Sequence, residues 1–308
     1  MRFLTSRRSF FCGLAGTSLI SRARGAFAIA ATSNLARVQE SYIDARKVLL
    51  WESTRKEIRE ALESGRLKAA LLPTGSTEQH NEHLAMIQDT ASAVLVAQQA
   101  ALELYPRVTV ATPVAVGISP YWMERPGTLT LRPETFLALV YDLCASLRHH
   151  GIKNILIVNG HGGNDQPLKS HVAEFSQKLD VRLDACSYWD AFASGAPREE
   201  AKKYMETGIE NIPGHSAEFE TSFALAAFPE RIHRDGVDYE KVNLKLQDPK
   251  DAAADRRYYS ESLKARAEKG EALIRIAVDW VAARVGRMLE TSSCAHRRAR
   301  ASGRSNRA

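Results

Sequence analysis

Hydrophobic and polar positions follow two different rhythms along this chain. Short apolar runs rich in β-branched residues, bounded by glycine, proline or charged residues, predict buried strands. Such runs occur at residues 68–72, 108–116, 154–158 and 181–188. Longer segments with apolar residues at helical spacing predict helices. They occur at residues 90–104, 133–150, 166–179, 218–228 and 258–289.

The order of these elements predicts the fold class. Strands and helices alternate from about residue 68 onward, which is typical of an α/β fold with a mostly parallel central sheet and helices on both faces. Pro133 at the start of one predicted helix and Gly151 just past its end fit the usual residues of helix termini. Residues 192–214 are richer in Gly, Pro and charge, and they predict an excursion or lid.

Charge is concentrated at the two ends of the 308-residue chain. Residues 1–28 and residues 291–308 each contain five arginines and no acidic residue, while the whole chain has a net charge of +6. Residues 29–290 therefore carry a net charge of −4, which argues against a nucleic-acid partner. The tail at 291–308 combines Ser, Ala and Arg without apolar periodicity, and this composition predicts disorder.

The amino terminus has the features of an export signal. Arg7 and Arg8 precede an apolar run at residues 10–20, and the small-x-small sequence Ala-Phe-Ala follows at residues 26–28. The order resembles a twin-arginine signal, although a short hydrophobic helix with basic flanks by chance is the alternative. The apolar run is too short to span a bilayer, which favours cleavage over a stable membrane anchor. We therefore expect a signal peptide at residues 1–28, a mature segment at 29–46 and a periplasmic or secreted protein.

Candidate metal ligands follow the first predicted strand. Glu78 and His80 are two residues apart, so both side chains can point to one side of an extended loop, and Asp89 follows nine residues later. Two carboxylates and an imidazole suit Zn, Mn or Fe. The alternative is that Asp89 only caps the next helix, with Glu78 and His80 on the loop surface.

Two further segments carry candidate chemistry. His161 lies among glycines in the sequence NGHGGN directly after a predicted buried strand, where ligands of open α/β sheets bind. The alternative is an ordinary glycine turn with an exposed histidine. His215, Glu218 and Glu220 lie at the start of a predicted helix, where such residues are also typical of a capped surface helix.

Together these segments resemble the signature blocks of the creatininase family of amidohydrolases. That family carries a GS-x-EQHG-x-H-L block ending in Asp, an NGHGGN-like block and a block of the form HAGE-x-ETS. This chain has GSTEQHNEHLAMIQD at 75–89, NGHGGN at 159–164 and HSAEFETS at 215–222, and PGTLTL at 126–131 resembles the family's PGT segment. The resemblance covers residues 47–285, so we expect a creatininase-like hydrolase domain at 47–290.

The resemblance implies a site with two divalent metal ions, Zn, Mn or Fe. The implied ligands are Glu78, His80, Asp89 and His161, with Asp89 bridging the two ions. Creatininase proper has a Glu two residues after its equivalent of His161, where this chain has Gly163. We therefore expect Glu220 to complete the second metal site, with Glu218 as its competitor. His215 matches the family histidine proposed as a proton shuttle.

The departures from the family pattern lie in the expected substrate pocket. Tyr121 and Trp122 replace a Glu-His pair that usually precedes the PGT segment, and Gly162 and Trp189 are further pocket candidates. The resemblance implies hydrolysis of a non-peptide C–N bond in a small amide-like substrate, linear or cyclic, by a metal-activated hydroxide. The alternatives are a creatininase-like peptidase, a hydrolase of sugar-derived or lactone rings with the same metals, and a non-catalytic exported metal- or solute-binding protein. Family members commonly form ring-like hexamers, which implies a homo-oligomer.

Overall fold

The computed structural model describes residues 46–233 and 249–305, and it places the side chains of residues 46–233 and 253–290. The predicted signal peptide, and the predicted mature segment up to residue 45, lie outside the described residues. In the described part of the chain, no helix is long and apolar enough to cross a membrane.

The described residues form four strands and eight α-helices. The strands are β1 (Ala69–Thr74), β2 (Val108–Val110), β3 (Asn154–Asn159) and β4 (Arg182–Ser187). The helices are α1 (Arg55–Glu63), α2 (Gln88–Glu103), α3 (Pro133–His149), α4 (Gly162–Leu179), α5 (Gly195–Ala201), α6 (Glu218–Ala227), α7 (Pro249–Ser262) and α8 (Ala267–Ser305). Short 3-10 helices lie at Leu50–Glu52, Pro120–Trp122, Tyr188–Phe192, Ile209–Asn211 and Pro229–Arg231.

The four strands make one parallel sheet in the order β2-β1-β3-β4, which confirms the predicted fold class. Thr74 at the end of β1 pairs with Asn159 at the end of β3. The chain passes from β1 to β2 on one side and then returns to β3 on the other side of β1. The strand order therefore reverses between β1 and β3, and ligands of open α/β sheets bind at the carboxyl ends of strands at such a point.

Both faces of the sheet are covered by helices because successive strand residues point to opposite faces. Ala69 and Leu71 of β1 pack in a core cluster with residues of α2 and α8. Ala70 and Leu72 pack in a second cluster with residues of α3 and α4. All four side chains are buried, so the continuous apolar run of β1 reflects burial on both sides.

The second strand is shorter than the sequence predicts. The apolar run covers residues 108–116, but β2 ends at Val110. Pro113 lacks the N–H that a strand ladder needs, which explains the early end. The chain still follows β1, since the Val114 N–H donates to the Pro73 carbonyl at 3.0 Å.

The predicted closing helix at 258–289 is wrong as a single element. α7 ends at Ser262, and α8 begins at Ala267. The backbone N–H of Arg266, in the turn between them, donates to the Ser222 hydroxyl of α6 at 3.3 Å. Both α7 and α8 contact α6, so packing on α6 overrides the helical periodicity of the sequence.

Helix α8 continues to Ser305, into the basic tail at residues 291–308, whose disorder in solution stays a prediction. Ala and Arg are among the best helix-forming residues. Extending a helix that is already formed is far less costly than nucleating one. The absence of apolar periodicity therefore does not stop the helix.

Candidate metal centre

The candidate ligands meet at the carboxyl edge of the sheet, between β1 and β3. Glu78 and His80 lie in the loop after β1, and His161 directly precedes α4 after β3. Asp89 and Glu220 lie in the first turns of α2 and α6. The structure therefore brings together all five side chains that the sequence nominates as metal ligands.

Asp89 faces two histidines at once. Its Oδ1 lies 3.0 Å from Nε2 of His80, and its Oδ2 lies 2.9 Å from Nδ1 of His161. The residue at the N-cap of α2 is Ile87, so the alternative in which Asp89 only caps the helix is wrong. Its carboxylate is oriented by the histidines, as a bridging ligand would be.

Each histidine that faces Asp89 also faces a second carboxylate. His80 Nε2 is 3.5 Å from Oε2 of Glu220, and His161 Nδ1 is 3.4 Å from Oε1 of Glu78. This gives two groups that share Asp89, one of Glu78, Asp89 and His161 and one of His80, Asp89 and Glu220. Within each group the potential ligand atoms lie within 4.8 Å of one another, and every side chain is buried.

Backbone carbonyls fix which nitrogen of each imidazole faces the carboxylates. His80 Nδ1 donates to the Glu78 carbonyl at 3.1 Å, and His161 Nε2 donates to the Ile118 carbonyl at 3.0 Å. A carbonyl oxygen can only accept, so these nitrogens carry the protons. The other nitrogens, Nε2 of His80 and Nδ1 of His161, are free to bind a metal, which is the usual arrangement of metal-binding histidines.

The electrostatics of the site fit divalent cations. Glu78, Asp89 and Glu220 bring three buried carboxylates together, and Oε2 of Glu78 has no hydrogen-bond partner among the described residues. Leaving a buried acceptor unsatisfied costs about 1–3 kcal/mol. Buried charges of this kind are ordinarily paired or bound to metals. Without a metal, protons must supply the compensating charge.

The pKa values of the ligands follow from this crowding of negative charge. Burial opposes the imidazolium form, but Asp89 and Glu220 outweigh it and raise the pKa of His80 to about 10. Burial likewise opposes protonation of His161, and hydrogen bonds to Asp89 and Glu78 raise its pKa to about 10. Burial raises the pKa of Glu220 to about 8 despite the nearby His80. Metal cations would take the place of these protons.

His215 lies beside this centre. Its Nδ1 is 3.9 Å from Oε1 of Glu78, and its Nε2 is 2.8 Å from the Gln79 side-chain nitrogen. The ring stacks on Trp122 with centroids 4.4 Å apart and lies 4.6 Å from the ring of His80. Burial and then the charge of His80 hold the pKa of His215 well below its ordinary value.

A cavity of about 180 Å³ opens onto the centre. It is lined by Glu78, Asp89, Tyr121, Trp122, Gly160, His161, Gly162, Trp189, Pro213, Gly214, His215 and Glu220. All four pocket residues nominated from the sequence, Tyr121, Trp122, Gly162 and Trp189, line it. The predicted excursion at 192–214 contributes its last two residues. The cavity therefore has aromatic walls and an acidic floor.

The family model described as creatinine amidohydrolase matches residues 51–285 of this chain. The chain belongs to the creatininase family. The match covers about three quarters of the sequence and includes every candidate ligand.

Known members of the creatininase family differ in what they act on. The 3-dehydro-scyllo-inosose hydrolase of Thermotoga maritima is 31% identical over 191 residues, covering 61% of this chain and only 58% of that protein. Creatinine amidohydrolase of Pseudomonas putida is 25% identical over 258 residues, covering 77% of this chain and 96% of that protein. A solved creatininase variant of the zinc–zinc type has a TM-score of 0.64 and 24% identity, covering 79% of this chain and 98% of that one, which shows a shared fold.

Within this creatininase fold, the structure separates Glu220 from its competitor Glu218. Both carboxylates are buried, but Glu218 accepts from Lys269 Nζ at 2.5 Å and from the Thr207 N–H at 2.8 Å. Glu220 accepts from the Ser216 N–H at 2.6 Å and faces His80. Glu218 therefore belongs to a structural ion pair away from the centre.

Several residues that support the site are not evident in the sequence as site residues. Gln79 contacts His215, and the Ser119 hydroxyl lies 3.1 Å from Nε2 of His161. His83 is buried and hydrogen-bonded to the Thr221 hydroxyl at 3.1 Å, where it supports the loop but does not face the centre's carboxylates. The sequence predicts His83 as a supporting or pocket residue and not as a ligand, which agrees with its contact to Thr221. Gln79 has no signal beyond its place in the first signature block, and Ser119 has none.

Proposed function

We propose that this chain is a metal-dependent hydrolase that cleaves a non-peptide C–N bond in a small linear or cyclic amide. The observation that carries the proposal is Asp89, whose two oxygens face two separate histidine–carboxylate groups. One metal would be held by Glu78, Asp89 and His161, and the other by His80, Asp89 and Glu220. Mixed nitrogen and oxygen ligands suit Zn, Mn or Fe.

Different residues of the chain have different roles in the proposed reaction. When bound, the two ions lower the pKa of a water molecule and polarise the substrate carbonyl. The Ile118 and Glu78 carbonyls hold the two ligand imidazoles in their binding orientation. Tyr121, Trp122 and Trp189 wall the cavity, so they exclude water and hold a flat substrate. His215 lines the same cavity and lies where its neutral ring can accept the proton that the attacking water loses and pass it to the leaving nitrogen.

The test is a hydrolysis assay of the zinc- or manganese-loaded protein on a panel of cyclic amides, linear amides, sugar-derived rings, lactones and short peptides. We expect amine release from at least one amide. Asp89→Ala should abolish both turnover and stoichiometric metal binding, because both groups lose their shared ligand. Asp180→Ala is the matched control, since the side chain of Asp180 is 77% exposed and paired with Lys153 on the surface.

Two results on this panel would overturn the proposal. Full activity in Asp89→Ala would remove Asp89 from the reaction. Two bound metals with no turnover on any amide would favour a metal- or solute-binding protein. Turnover of sugar-derived rings alone would support a second candidate, a sugar-ring hydrolase, which is favoured by the 31% identity to the inosose hydrolase.

A further inference from the structure

We propose that Tyr121 is a further catalytic residue, whose hydroxyl donates a hydrogen bond to the substrate carbonyl oxygen as negative charge develops on it. This inference rests on the proposed function, because it assigns a role in that reaction. Tyr121 and Trp122 stand where the family resemblance implies a Glu-His pair, so the family pattern does not itself assign this role.

The position of the hydroxyl is set by the 3-10 helix Pro120–Trp122 after β2. The Tyr121 residue is 52% exposed, but its hydroxyl points inward and lies 3.3 Å from Nε2 of His161. Its ring stacks parallel to that imidazole, with an interplanar angle of 20°. The hydroxyl therefore lies at the wall of the cavity, next to the group of Glu78, Asp89 and His161.

The direction of the hydroxyl proton follows from its neighbours. Because the Ile118 carbonyl accepts from Nε2 of His161, that nitrogen carries a proton and cannot accept one from Tyr121. The Tyr121 hydroxyl therefore cannot donate to His161, and its own proton is left to point into the cavity.

Glycine at position 163 leaves the space beside the hydroxyl open. A Cβ at 163 would lie 2.0 Å from the Ile118 carbonyl oxygen and 2.7 Å from both Nε2 of His161 and the Tyr121 oxygen. The rigid Ile118 carbonyl alone requires glycine here, and the Tyr121 hydroxyl lies in the same space.

A neutral donor at this point is suited to stabilise charge. In amide hydrolysis the carbonyl oxygen gains negative charge as the nucleophile adds, and a fixed donor binds it more strongly then than in the ground state. Tyr121 gives up no proton in this step, so the balance of the reaction is unchanged. Loss of one such donor typically lowers kcat by about 10²–10³-fold.

The test compares wild type, Tyr121→Phe and Tyr105→Phe as zinc-loaded full chains. Tyr105 is 43% exposed and lies outside the cavity lining, so its variant makes the same chemical change away from the site. With the best amide of the panel, we expect Tyr121→Phe to lower kcat about 100-fold with KM and zinc content unchanged. Calorimetry with methylphosphonate, a tetrahedral oxyanion, should show affinity weakened about tenfold only in Tyr121→Phe, a loss of about 1.4 kcal/mol.

The outcomes separate this inference from the proposed function. Wild-type turnover with a Tyr121→Phe variant within twofold in kcat overturns the inference and leaves the hydrolase intact. If the wild type hydrolyses no amide, the proposed function fails. The calorimetric affinity for methylphosphonate then tests the role of Tyr121 by itself. Equal affinity in wild type and Tyr121→Phe, or no binding to either, contradicts that role. Loss of zinc in Tyr121→Phe would make the residue a support of His161, which also contradicts a catalytic role.

Discussion

At the scale of single residues, the centre depends on which way neighbouring carboxylates point. Glu218 and Glu220 are two positions apart in the first turn of α6, so they project about 200° apart around the helix axis. Glu218 projects toward Lys269, and Glu220 projects toward His80. This angular separation, which the sequence alone does not orient, decides between the two candidate ligands.

Exchanging each carboxylate for its amide tests this division. We expect Glu220→Gln to retain one zinc per chain where the wild type retains two, measured by elemental analysis after gel filtration. Glu218→Gln should retain both zinc ions, because its side chain does not face the centre. Loss of zinc from Glu218→Gln alone would reverse the assignment.

Glu218→Gln should instead change stability in a pH-dependent way. Burial opposes ionisation of Glu218, but Lys269 and the backbone N–H of Thr207 outweigh it and hold its pKa below the ordinary value. A lowered pKa contributes stability above the unfolded-state pKa, and this is lost as pH falls through the folded-state pKa. Urea unfolding should therefore show a deficit of about 1–2 kcal/mol at pH 7 that shrinks in acid. A deficit that grows in acid would contradict this.

The residue types of the centre could be predicted from sequence, but their orientation could not. Glu78 and His80 at a spacing of two, and His161 among glycines, indicate metal chemistry locally. The supports come from distant segments, such as the Ile118 carbonyl that fixes His161. Hydrogen bonds between distant segments depend on tertiary packing, so local sequence patterns do not predict them.

At the scale of elements, a buried ion pair joins α7 to the segment that carries Trp122 of the cavity wall. Arg125 makes hydrogen bonds of 3.2–3.4 Å to both oxygens of Asp255 on α7, and both residues are buried. The Arg125 guanidinium lies 4.5 Å from the ring centroid of Trp122, which in turn stacks on His215. The ion pair thus connects α7 to the cavity wall.

Breaking this pair should destabilise the protein. We expect Asp255→Ala to lower the free energy of unfolding by about 3 kcal/mol, because it removes the carboxylate that faces a buried guanidinium. The control on the same helix is Arg257→Ala, whose guanidinium pairs with Glu261 at 3.8 Å; the Arg257 side chain is 57% exposed, so this pair should contribute less than about 1 kcal/mol. Urea denaturation measures both. Equal losses of unfolding free energy in the two variants would mean that the buried ion pair contributes no more stability than the pair of Arg257 and Glu261.

Apolar periodicity predicts the elements with fully buried residues better than those at the edge of the core. Helix α1 is short and has no fully buried residue, and its Ala61 and Leu62 pack only partly buried against the second core cluster. Its signal is the capping box, in which Thr54 accepts from the Glu57 N–H and Glu57 accepts from the Thr54 N–H. The break between α7 and α8 has no comparable signal, because it arises from tertiary packing on α6.

At the scale of the whole molecule, the sheet topology brings the residues of the candidate metal centre together. Ligands from residue 78 to residue 220 converge because the loops after β1 and β3 leave the sheet at its reversal point. Alternating strands and helices predict a parallel sheet, but the strand order β2-β1-β3-β4 comes only from the structure. Export through the twin-arginine signal and assembly into a homo-oligomer stay predictions.

The central claim is that Asp89 is shared by two metal positions. Crystals of the zinc-loaded protein, measured at the zinc absorption edge, test it most directly. We expect two anomalous peaks, one on each side of the Asp89 carboxylate: one beside Glu78 and His161, and the other beside His80 and Glu220. A single peak, or peaks away from Asp89, would contradict it.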